Sequence, residues 1–272
     1  MSKAYNVSRS GFYGWLKRQN SNRVKRKWAL LSEIRKVYEE SNRVYGSPRI
    51  TKALGLKGIH VNHKPVEKLM KIANMQAETQ KVFKVATTDS NHRKPVSANI
   101  LNRNFNPEKP NKVWVSDITY IKTRKGFLYL CVIIDLYSRK IISWNVREHM
   151  KASLVADTLK SAIATRNIKP WELIFHSDRG SQYASESVRK ILFENKIISS
   201  MSKTGDCFDN ACAESSFATI KKESIHRREF ENLVDVRMEL FRFIEGFYNR
   251  RRLHSYLGYM SPEDFENIRQ VA

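Results

Sequence analysis

Three acidic residues that are far apart in the chain occur where their carboxylates could bind a metal ion. Asp117 lies inside the apolar run 113–121, Asp178 follows the apolar run 174–176, and 35 residues separate Asp178 from Glu214. A half-buried strand has little reason to carry a charge unless something pairs with it. Hard divalent cations prefer oxygen ligands, and two such ions can clamp the attacking and leaving oxygens of a phosphoryl transfer. The pattern predicts a metal site that could cut or join DNA strands.

A mixed sheet is predicted to position these acids. Alternating and continuous apolar runs predict strands at 113–122, 127–136, 140–146, 172–176 and 197–200, with helices at 151–166 and 186–195. This order predicts an α/β fold with five strands and helices on both faces, as in the ribonuclease H-like fold. There the first and fourth strands are neighbours, which would bring Asp117 beside Asp178. A helix capped by Asp209-Asn210 would supply Glu214.

Composition predicts a partner as well as a domain count. The chain has 272 residues, 41% of them hydrophobic, which suffices for one core of average domain size and a smaller module. Residues 1–110 hold 23 Lys/Arg against 7 Asp/Glu, whereas residues 111–272 hold 26 against 20. So basic a half is typical of a DNA-binding protein, although a cationic protein can also be merely soluble.

The cysteines and the lack of long apolar runs indicate a location. Cys131, Cys207 and Cys212 form no paired spacing, and no run of 18 apolar residues or secretory segment occurs. We expect a reduced, cytosolic protein that has no membrane partner. Without two further spaced ligands, Cys207 and Cys212 predict no zinc site.

The basic half divides further. Residues 1–20 form a basic segment with Ser8 as a helix cap, and residues 21–76 predict three short helices at 24–41, 48–54 and 64–75, which are typical of a basic, all-α helix-turn-helix-like domain. A helical bundle that only docks on the next domain is the alternative. Residues 77–111 are rich in lysine, asparagine and proline and predict a basic linker, and residues 112–272 form the catalytic core with an amphipathic helix at 231–249 and a basic tail.

Five motifs follow one another along the chain: Trp114-x2-Asp117-Ile118-Thr119-Tyr120, Asp135-Leu136-Tyr137-Ser138-Arg139, His176-Ser177-Asp178-Arg179-Gly180-Ser181-Gln182-Tyr183, Asp209-Asn210-Ala211-x2-Glu214-Ser215-x5-Lys221-Lys222-Glu223 and Tyr248-Asn249-x3-Leu253-His254-x2-Leu257-Gly258-Tyr259. In order and spacing they resemble the DDE transposases of the IS-three insertion-sequence family, which belong with the retroviral integrases. Residues 40–75 are similar to the helix-turn-helix segment of that family, and residues 112–272 to its integrase core.

The resemblance implies a transposase that uses Mg²⁺, with Mn²⁺ as a possible substitute and two ions per active site. It places the three family acids at Asp117, Asp178 and Glu214 and the basic residue at Lys221. It also implies terminal inverted repeats and target DNA as partners, a homo-oligomer on DNA, a circular intermediate, and an upstream-frame protein that supplies DNA-end recognition. The chain carries no heptad stretch and no zinc-binding N-terminal domain, which favours a downstream-frame transposase product over a viral integrase.

Residues that flank the acids are candidate DNA contacts: Lys221, Arg179, Gln182, Tyr183, Lys203 and Asn210. Two other residues compete for roles at the site. Asp135 ends an apolar strand, but shaping of the following turn is the favoured interpretation. His176 precedes Asp178 and is either a supporting donor or a core histidine.

Three functions stay open from the residues alone. A transposase joins strands, a metal nuclease on the same fold hydrolyses without joining, and a DNA-binding regulator does neither. The presence of all three acids argues against the regulator. A tyrosine recombinase built on Arg252, His254 and Tyr256 is disfavoured, because that chemistry draws its groups from separated segments.

Overall fold

The computed structural model describes residues 8–19, 21–78, 94–202 and 211–270. The chain divides into two compact units, residues 1–77 and residues 78–272. The finer division of the chain at residues 20 and 111 stays a prediction. No helix in the described ranges is long and apolar enough to cross a membrane.

The first unit consists of helices α1 Arg9–Lys17, α2 Asn22–Glu40, α3 Ser47–Leu56 and α4 His63–Ile72. The Ser8 and Ser21 hydroxyls cap α1 and α2, because each accepts a backbone N–H of the first turn. The three helices predicted between residues 24 and 75 are present. The last ends early because Asn74 has a φ of 52°, a left-handed conformation that terminates helices.

Helices α2, α3 and α4 pack around a small apolar core. Its members recur at helical spacing and are all buried: Ile34, Val37, Tyr38, Ile50, Leu54, Val66, Leu69 and Met70. The Tyr38 hydroxyl donates to the carbonyl of Gln76 at 2.5 Å, which ties the end of the unit to its first long helix. No residue of α1 is buried.

The second unit contains the predicted mixed five-stranded sheet, in the order β3-β2-β1-β4-β5. Its strands are β1 Val113–Thr123, β2 Gly126–Asp135, β3 Ile141–Arg147, β4 Ile174–Ser177 and β5 Ile198–Met201. The hairpins β1–β2 and β2–β3 are antiparallel, whereas β4 runs parallel to β1 and β5 parallel to β4. This arrangement confirms the predicted fold class and makes β1 and β4 neighbours.

The two faces of the sheet have different roles. Helices α5 Ala152–Thr165 and α6 Glu186–Glu194 cover one face, where they pack against Trp114, Ile118 and Phe175. Because side chains alternate along a strand, Asp117 points to the opposite face. Helix α7 Ala211–Glu223 packs against β1.

The described part of the predicted linker is attached to the sheet. The backbone N–H groups of Ile100 and Leu101 donate to the Ser200 hydroxyl at 3.0 and 3.2 Å, and the Met201 N–H donates to the carbonyl of Ala98 at 3.4 Å. Residues 98–101 are therefore hydrogen bonded to β5, whereas the assignment of residues 77–111 as a linker stays a prediction. The outer N–H and C=O groups of an edge strand have no neighbouring strand to pair with, and here the Ala98 carbonyl accepts one of these N–H groups, that of Met201.

The C-terminal region is more structured than predicted. Helix α8 Leu233–Phe243 continues as the π-helical turn Ile244–Tyr248, and helix α9 Pro262–Gln270 follows. The prediction of a basic tail after residue 248 is wrong, because this part of the chain returns to the core. The missed signal was local: the Ser261 hydroxyl accepts the N–H of Asp264 at 3.2 Å as a helix cap, and proline begins the helix.

Candidate active site

Asp117 and Asp178 lie at the same level on two adjacent parallel strands. The last paired residues of β1 and β4 are Ser116 and Ser177, and each aspartate is the next residue. Both side chains are half-buried. Neighbouring strands are about 4.8 Å apart, so the two carboxylates emerge side by side.

The pKa of the Asp117 carboxyl is raised by its burial and by neighbouring acids. Burial raises its pKa well above the ordinary value, and the negative charges of Asp178 and Glu214 raise it further. The N–H of Ile118, which donates to Oδ1 at 2.7 Å, and the positive charge of Lys221 act in the opposite direction. A protonation-prone carboxyl between like charges is typical of a functional site.

The loop after β4 shapes the second aspartate. The Gly180 N–H donates to Oδ1 of Asp178 at 2.9 Å. A Cβ at position 180 would lie 3.0 Å from that same oxygen and 3.0 Å from Oε1 of Gln182. A side chain at position 180 would therefore have to displace the Asp178 carboxylate or the Gln182 amide, which glycine avoids.

The three candidate DNA contacts in this loop differ in accessibility. Arg179 and Gln182 are half-buried: Nε of Arg179 donates to the carbonyl of Ser202 at 2.6 Å, and Nε2 of Gln182 donates to the carbonyl of Met150 at 3.2 Å. Tyr183 is only 2% exposed, and its hydroxyl lies 2.9 Å from the Ser116 hydroxyl. A side chain so buried offers no surface to DNA, so we correct the prediction for Tyr183 and assign it to the core.

Helix α7 brings the remaining predicted residues to this side of the sheet. Glu214 lies in its first turn and is exposed, whereas Lys221 is half-buried. The Lys221 ammonium lies 4.6 Å from the centre of the Tyr120 ring. Burial lowers the pKa of Lys221, while the charge of Asp117 acts to raise it. The Lys221 ammonium thus lies on the face of the Tyr120 ring and close enough to Asp117 to interact with its charge.

The structure brings two of the three acids together. Within the described ranges, no three acidic, histidine or cysteine side chains are close enough to enclose a metal ion. Glu214 instead stands on the helix beside the Asp117–Asp178 pair and is near enough to influence the pKa of Asp117. The candidate contacts Lys203 and Asn210 lie outside the described residues.

Two residues near the site had no predicted role. Tyr120 supports the Lys221 ammonium, and the pKa of His226 is lowered by burial and by the charge of Lys221. The sequence motif that contains Asp117 also contains Tyr120, and this was a usable signal. No local pattern marked His226, because it comes near Lys221 only through the turn that follows α7.

Asp135 and His176, the two other residues considered for a role at the site, both make hydrogen bonds within the fold. Asp135 is fully buried and accepts the N–H groups of Asn111 and Tyr137 at 2.8 and 3.0 Å, which agrees with a turn-shaping role. Burial raises its pKa to about 6. Nδ1 of His176 lies 2.9 Å from the Ser200 hydroxyl, inside the sheet.

The recombinase alternative finds no support in the geometry. Arg252 is buried in an ion pair with Glu223. The Tyr256 hydroxyl donates to the Asn106 side chain at 2.6 Å. The arginine of that proposed trio is therefore committed to the interior.

Family models match both units. The HTH-like domain matches residues 25–83, and two models of the integrase core domain match residues 107–207 and 195–262. The mixed sheet, with two acids where its first and fourth strands adjoin, belongs to the integrase-core class of nucleic-acid-processing proteins.

Sequence relatives define the family within that class. The chain is 38% identical over 269 residues to the transposase InsF for insertion sequence IS3fB of Escherichia coli strain K12, which covers 98% of this chain and 93% of that protein. It is also 38% identical over 273 residues to an uncharacterized 31 kDa protein of insertion element IS600 from Shigella sonnei, with full coverage of both. The chain belongs to the IS3 family of insertion-sequence transposases.

Solved structures with a similar fold come from viral integrases. One is a simian T-cell lymphotropic virus intasome in complex with PP2A regulatory subunit B56 gamma, with a TM-score of 0.47, 14% identity, and coverage of 85% of this chain and 73% of that chain. Another is the HTLV-2 integrase catalytic core domain in complex with magnesium in its trimeric form, with a TM-score of 0.45, 16% identity, and coverage of 58% and 98%.

Proposed function

We propose that this chain cuts DNA at the ends of an insertion sequence and joins the exposed 3′ ends to other DNA. The observation that carries the proposal is the side-by-side placement of Asp117 and Asp178, whose mutual repulsion contributes to the raised pKa of Asp117. Relatives of similar length that are named transposases support the strand-joining activity.

We further propose that Asp117, Asp178 and Glu214 bind Mg²⁺, with Mn²⁺ as a substitute, as a pair of ions. The donor set fits, because hard divalent cations prefer carboxylate oxygens and a cation between two aspartates offsets their repulsion. Glu214 is exposed on the first turn of α7, a helix that packs against β1, so its carboxylate is the third oxygen donor proposed for the site. When bound, such ions lower the pKa of an attacking water or 3′-hydroxyl and stabilise the departing oxygen.

Side chains around the acids are proposed to contact the DNA. Asp117 and Asp178, on the central strands β1 and β4, would hold the ions, which would supply positive charge next to the scissile phosphate. Lys221, held over Tyr120, binds a neighbouring phosphate oxygen. Arg179 and Gln182 lie in the loop that follows β4, and we propose that they contact the phosphate backbone of the DNA. None of these residues forms a covalent bond to DNA.

The first unit is proposed to bind the DNA end through α4. Lys64, Lys68 and Lys71 recur at positions i, i+4 and i+7, which share one helix face. All three are exposed, and none has an ion-pair partner in the described part of the chain. By contrast, the charge of Lys36 on α2 is compensated, because its ammonium is paired with Glu33 at 2.7 Å. Such a face suits the phosphates of a DNA groove.

Transposition also requires two DNA ends to be brought together. We propose a homo-oligomer assembled on terminal inverted repeats and target DNA, with an upstream-frame protein as a further partner. The test of this part is the mass of the complex formed on oligonucleotides that carry the terminal repeats, with and without that partner.

The catalytic proposal is tested with labelled oligonucleotides that carry the terminal repeats and with added Mg²⁺. The natural chain is compared with Asp117→Asn, Asp178→Asn and Glu214→Gln, and the exposed acid Glu148 supplies the control Glu148→Gln. Joined products from the natural chain and the control, lost in the three variants, are the expected result. Products that are only hydrolysed would identify a nuclease, and equal products from all proteins would remove the site assignment.

A further inference from the structure

The third acid is positioned differently from the other two. Asp117 and Asp178 are fixed by the pairing of β1 with β4, whereas Glu214 depends on where α7 lies. Because one helical turn holds 3.6 residues, Glu214 and Lys221 share one face of α7, and Ser216 and Glu223 lie about 200° around the helix from them. The face that holds α7 in place is thus opposite the face that serves the site.

Glu223 anchors the end of α7 through a buried ion pair. Its carboxylate accepts Nε and Nη2 of Arg252, both at 2.7 Å, in a two-point contact. The exposed fractions of the two side chains are 8% and 5%. A two-point contact of this kind fixes the relative orientation of the two side chains. Removal of either partner would leave an uncompensated charge in the interior.

Tyr248 attaches the beginning of α7 to the same segment. Its hydroxyl donates to the carbonyl of Arg139 at 3.1 Å and lies close to the side chain of Ser216, two residues after Glu214. Its ring meets the His254 ring edge-on with centres 4.8 Å apart. Both Ser216 and Tyr248 are buried.

The segment that receives α7 is itself fixed to the sheet. The Asn249 side chain accepts the N–H of Ile141 and donates to the carbonyl of Ile141, both at 3.0 Å, as a neighbouring strand would. The Glu263 N–H donates to the Asn249 carbonyl at 3.0 Å, which closes the segment against α9. Residues 248–254 therefore form a rigid platform built on edge strand β3.

We propose that this platform positions the third acid of the DNA-cutting site. The Glu223–Arg252 ion pair, together with the contact between buried Ser216 and Tyr248, holds one face of α7 against the platform and thereby sets where Glu214 and Lys221 stand relative to the sheet. Glu223, Arg252 and Tyr248 are positioning residues, because they act through α7 and do not touch DNA. The inference rests on the proposed function, since it assigns the support of that same site.

Arg252→Gln and Tyr248→Phe test the platform in the full chain, with Arg252→Lys as the conservative variant. The matched control is Arg166→Gln: Arg166 also forms a buried two-point contact with a glutamate, Glu266, at 2.9 and 3.2 Å, but that pair holds α9 and not α7. Each protein is measured for folded fraction, for cutting rate at saturating DNA, for DNA affinity, and for the rise in melting temperature that Mg²⁺ causes without DNA.

We expect Arg252→Gln to lower the saturated cutting rate per folded molecule by about tenfold or more and to raise the half-saturating Mg²⁺ concentration similarly. DNA affinity should fall by less than about threefold, because Lys221 is the one proposed DNA contact among the described residues of α7. Arg252→Lys should retain part of the cutting rate that Arg252→Gln loses, since a lysine supplies the positive charge but not the two parallel N–H donors of the guanidinium. Tyr248→Phe, which keeps the ring, should show a smaller change in the same direction. Arg166→Gln should lose stability but keep its rate and Mg²⁺ response.

Two results would overturn the inference while leaving the proposed function intact. One is a folded Arg252→Gln protein with the natural rate and Mg²⁺ response, measured beside an inactive Asp178→Asn protein. The other is an equal loss in Arg166→Gln, which would mean that general destabilisation explains the effect. If Asp178→Asn remained active, the proposed function itself would be wrong.

Discussion

Replacement of Asp178 by asparagine should stabilise the metal-free protein while abolishing its activity. The substitution keeps the size of the side chain and its Oδ1 acceptor, to which the Gly180 N–H donates at 2.9 Å. What it removes is the negative charge that helps to raise the pKa of Asp117. Stability and activity should therefore change in opposite directions, as expected where an active site stores unfavourable interactions.

The magnitude follows from the geometry of the two strands. Carboxylates on adjacent strands are about 5 Å apart, and at an effective dielectric constant near 20 two full charges at that distance repel by about 3 kcal/mol. Partial protonation of Asp117 lessens the repulsion, and the weaker neutral hydrogen bond to Gly180 costs about 1 kcal/mol. The net gain is about 1–2 kcal/mol. For a unit of residues 78–272, this raises the melting temperature by about 2–8 °C.

The assay is thermal unfolding in EDTA at several pH values. A carboxyl whose pKa is raised in the folded state favours folding when protonated, so the natural protein should lose stability as pH rises above the ordinary carboxyl range. Asp178→Asn should flatten this decline, and added Mg²⁺ should stabilise the natural chain more than the variant. Glu148→Gln, an exposed control, should change stability by less than about 0.5 kcal/mol. A variant that melts below the natural protein in EDTA would refute the repulsion on which the estimate depends.

Three further predictions concern other parts of the molecule. Lys68→Gln should weaken binding to terminal-repeat DNA and reduce the slope of log affinity against log salt by about 1, whereas ion-paired Lys36→Gln should leave the slope unchanged in a filter-binding titration. Asp135→Asn should remove a pH dependence of stability, because burial raises the pKa of Asp135 to about 6. In urea titrations, the stability advantage of the natural protein over the variant should shrink by about 3 kcal/mol between pH 4 and pH 7. A difference that stays constant with pH would contradict the assigned burial. Gly180→Ala should lower the cutting rate by about tenfold or more with little change in melting temperature, because its Cβ would displace the Asp178 carboxylate; an unchanged rate would show that the loop tolerates the shift.

Local signals in the sequence predicted most of the elements. Apolar alternation predicted the five strands within two residues of their observed bounds, and caps predicted the starts of α1 and α7. The order of the strands then implied the adjacency of Asp117 and Asp178, which the sheet has. These features are encoded by residues that are neighbours along the chain or by short-range periodicity.

The misjudged residues were those whose surroundings come from distant segments. Tyr183 is polar at one end and follows an acidic motif, but its hydroxyl meets Ser116, 67 residues away. Residues 98–101 lie in a polar, proline-bearing stretch whose local composition does not predict their hydrogen bonds to β5, about 100 residues later. Burial is a property of such long-range packing and leaves little trace in local composition.

The sequence by itself determined that this chain contains a basic helical unit and a mixed sheet that carries acids at its β1–β4 junction, because periodicity and residue chemistry specify strands, helices and oxygen ligands locally. Only the tertiary structure decided which residues hold α7, the helix that carries Glu214. Arg252, in a run that reads as a solvent-exposed basic tail, is buried against Glu223, 29 residues away. A charge enters the interior only when a partner is folded against it, and that pairing is decided by the packing of α7 on the C-terminal segment.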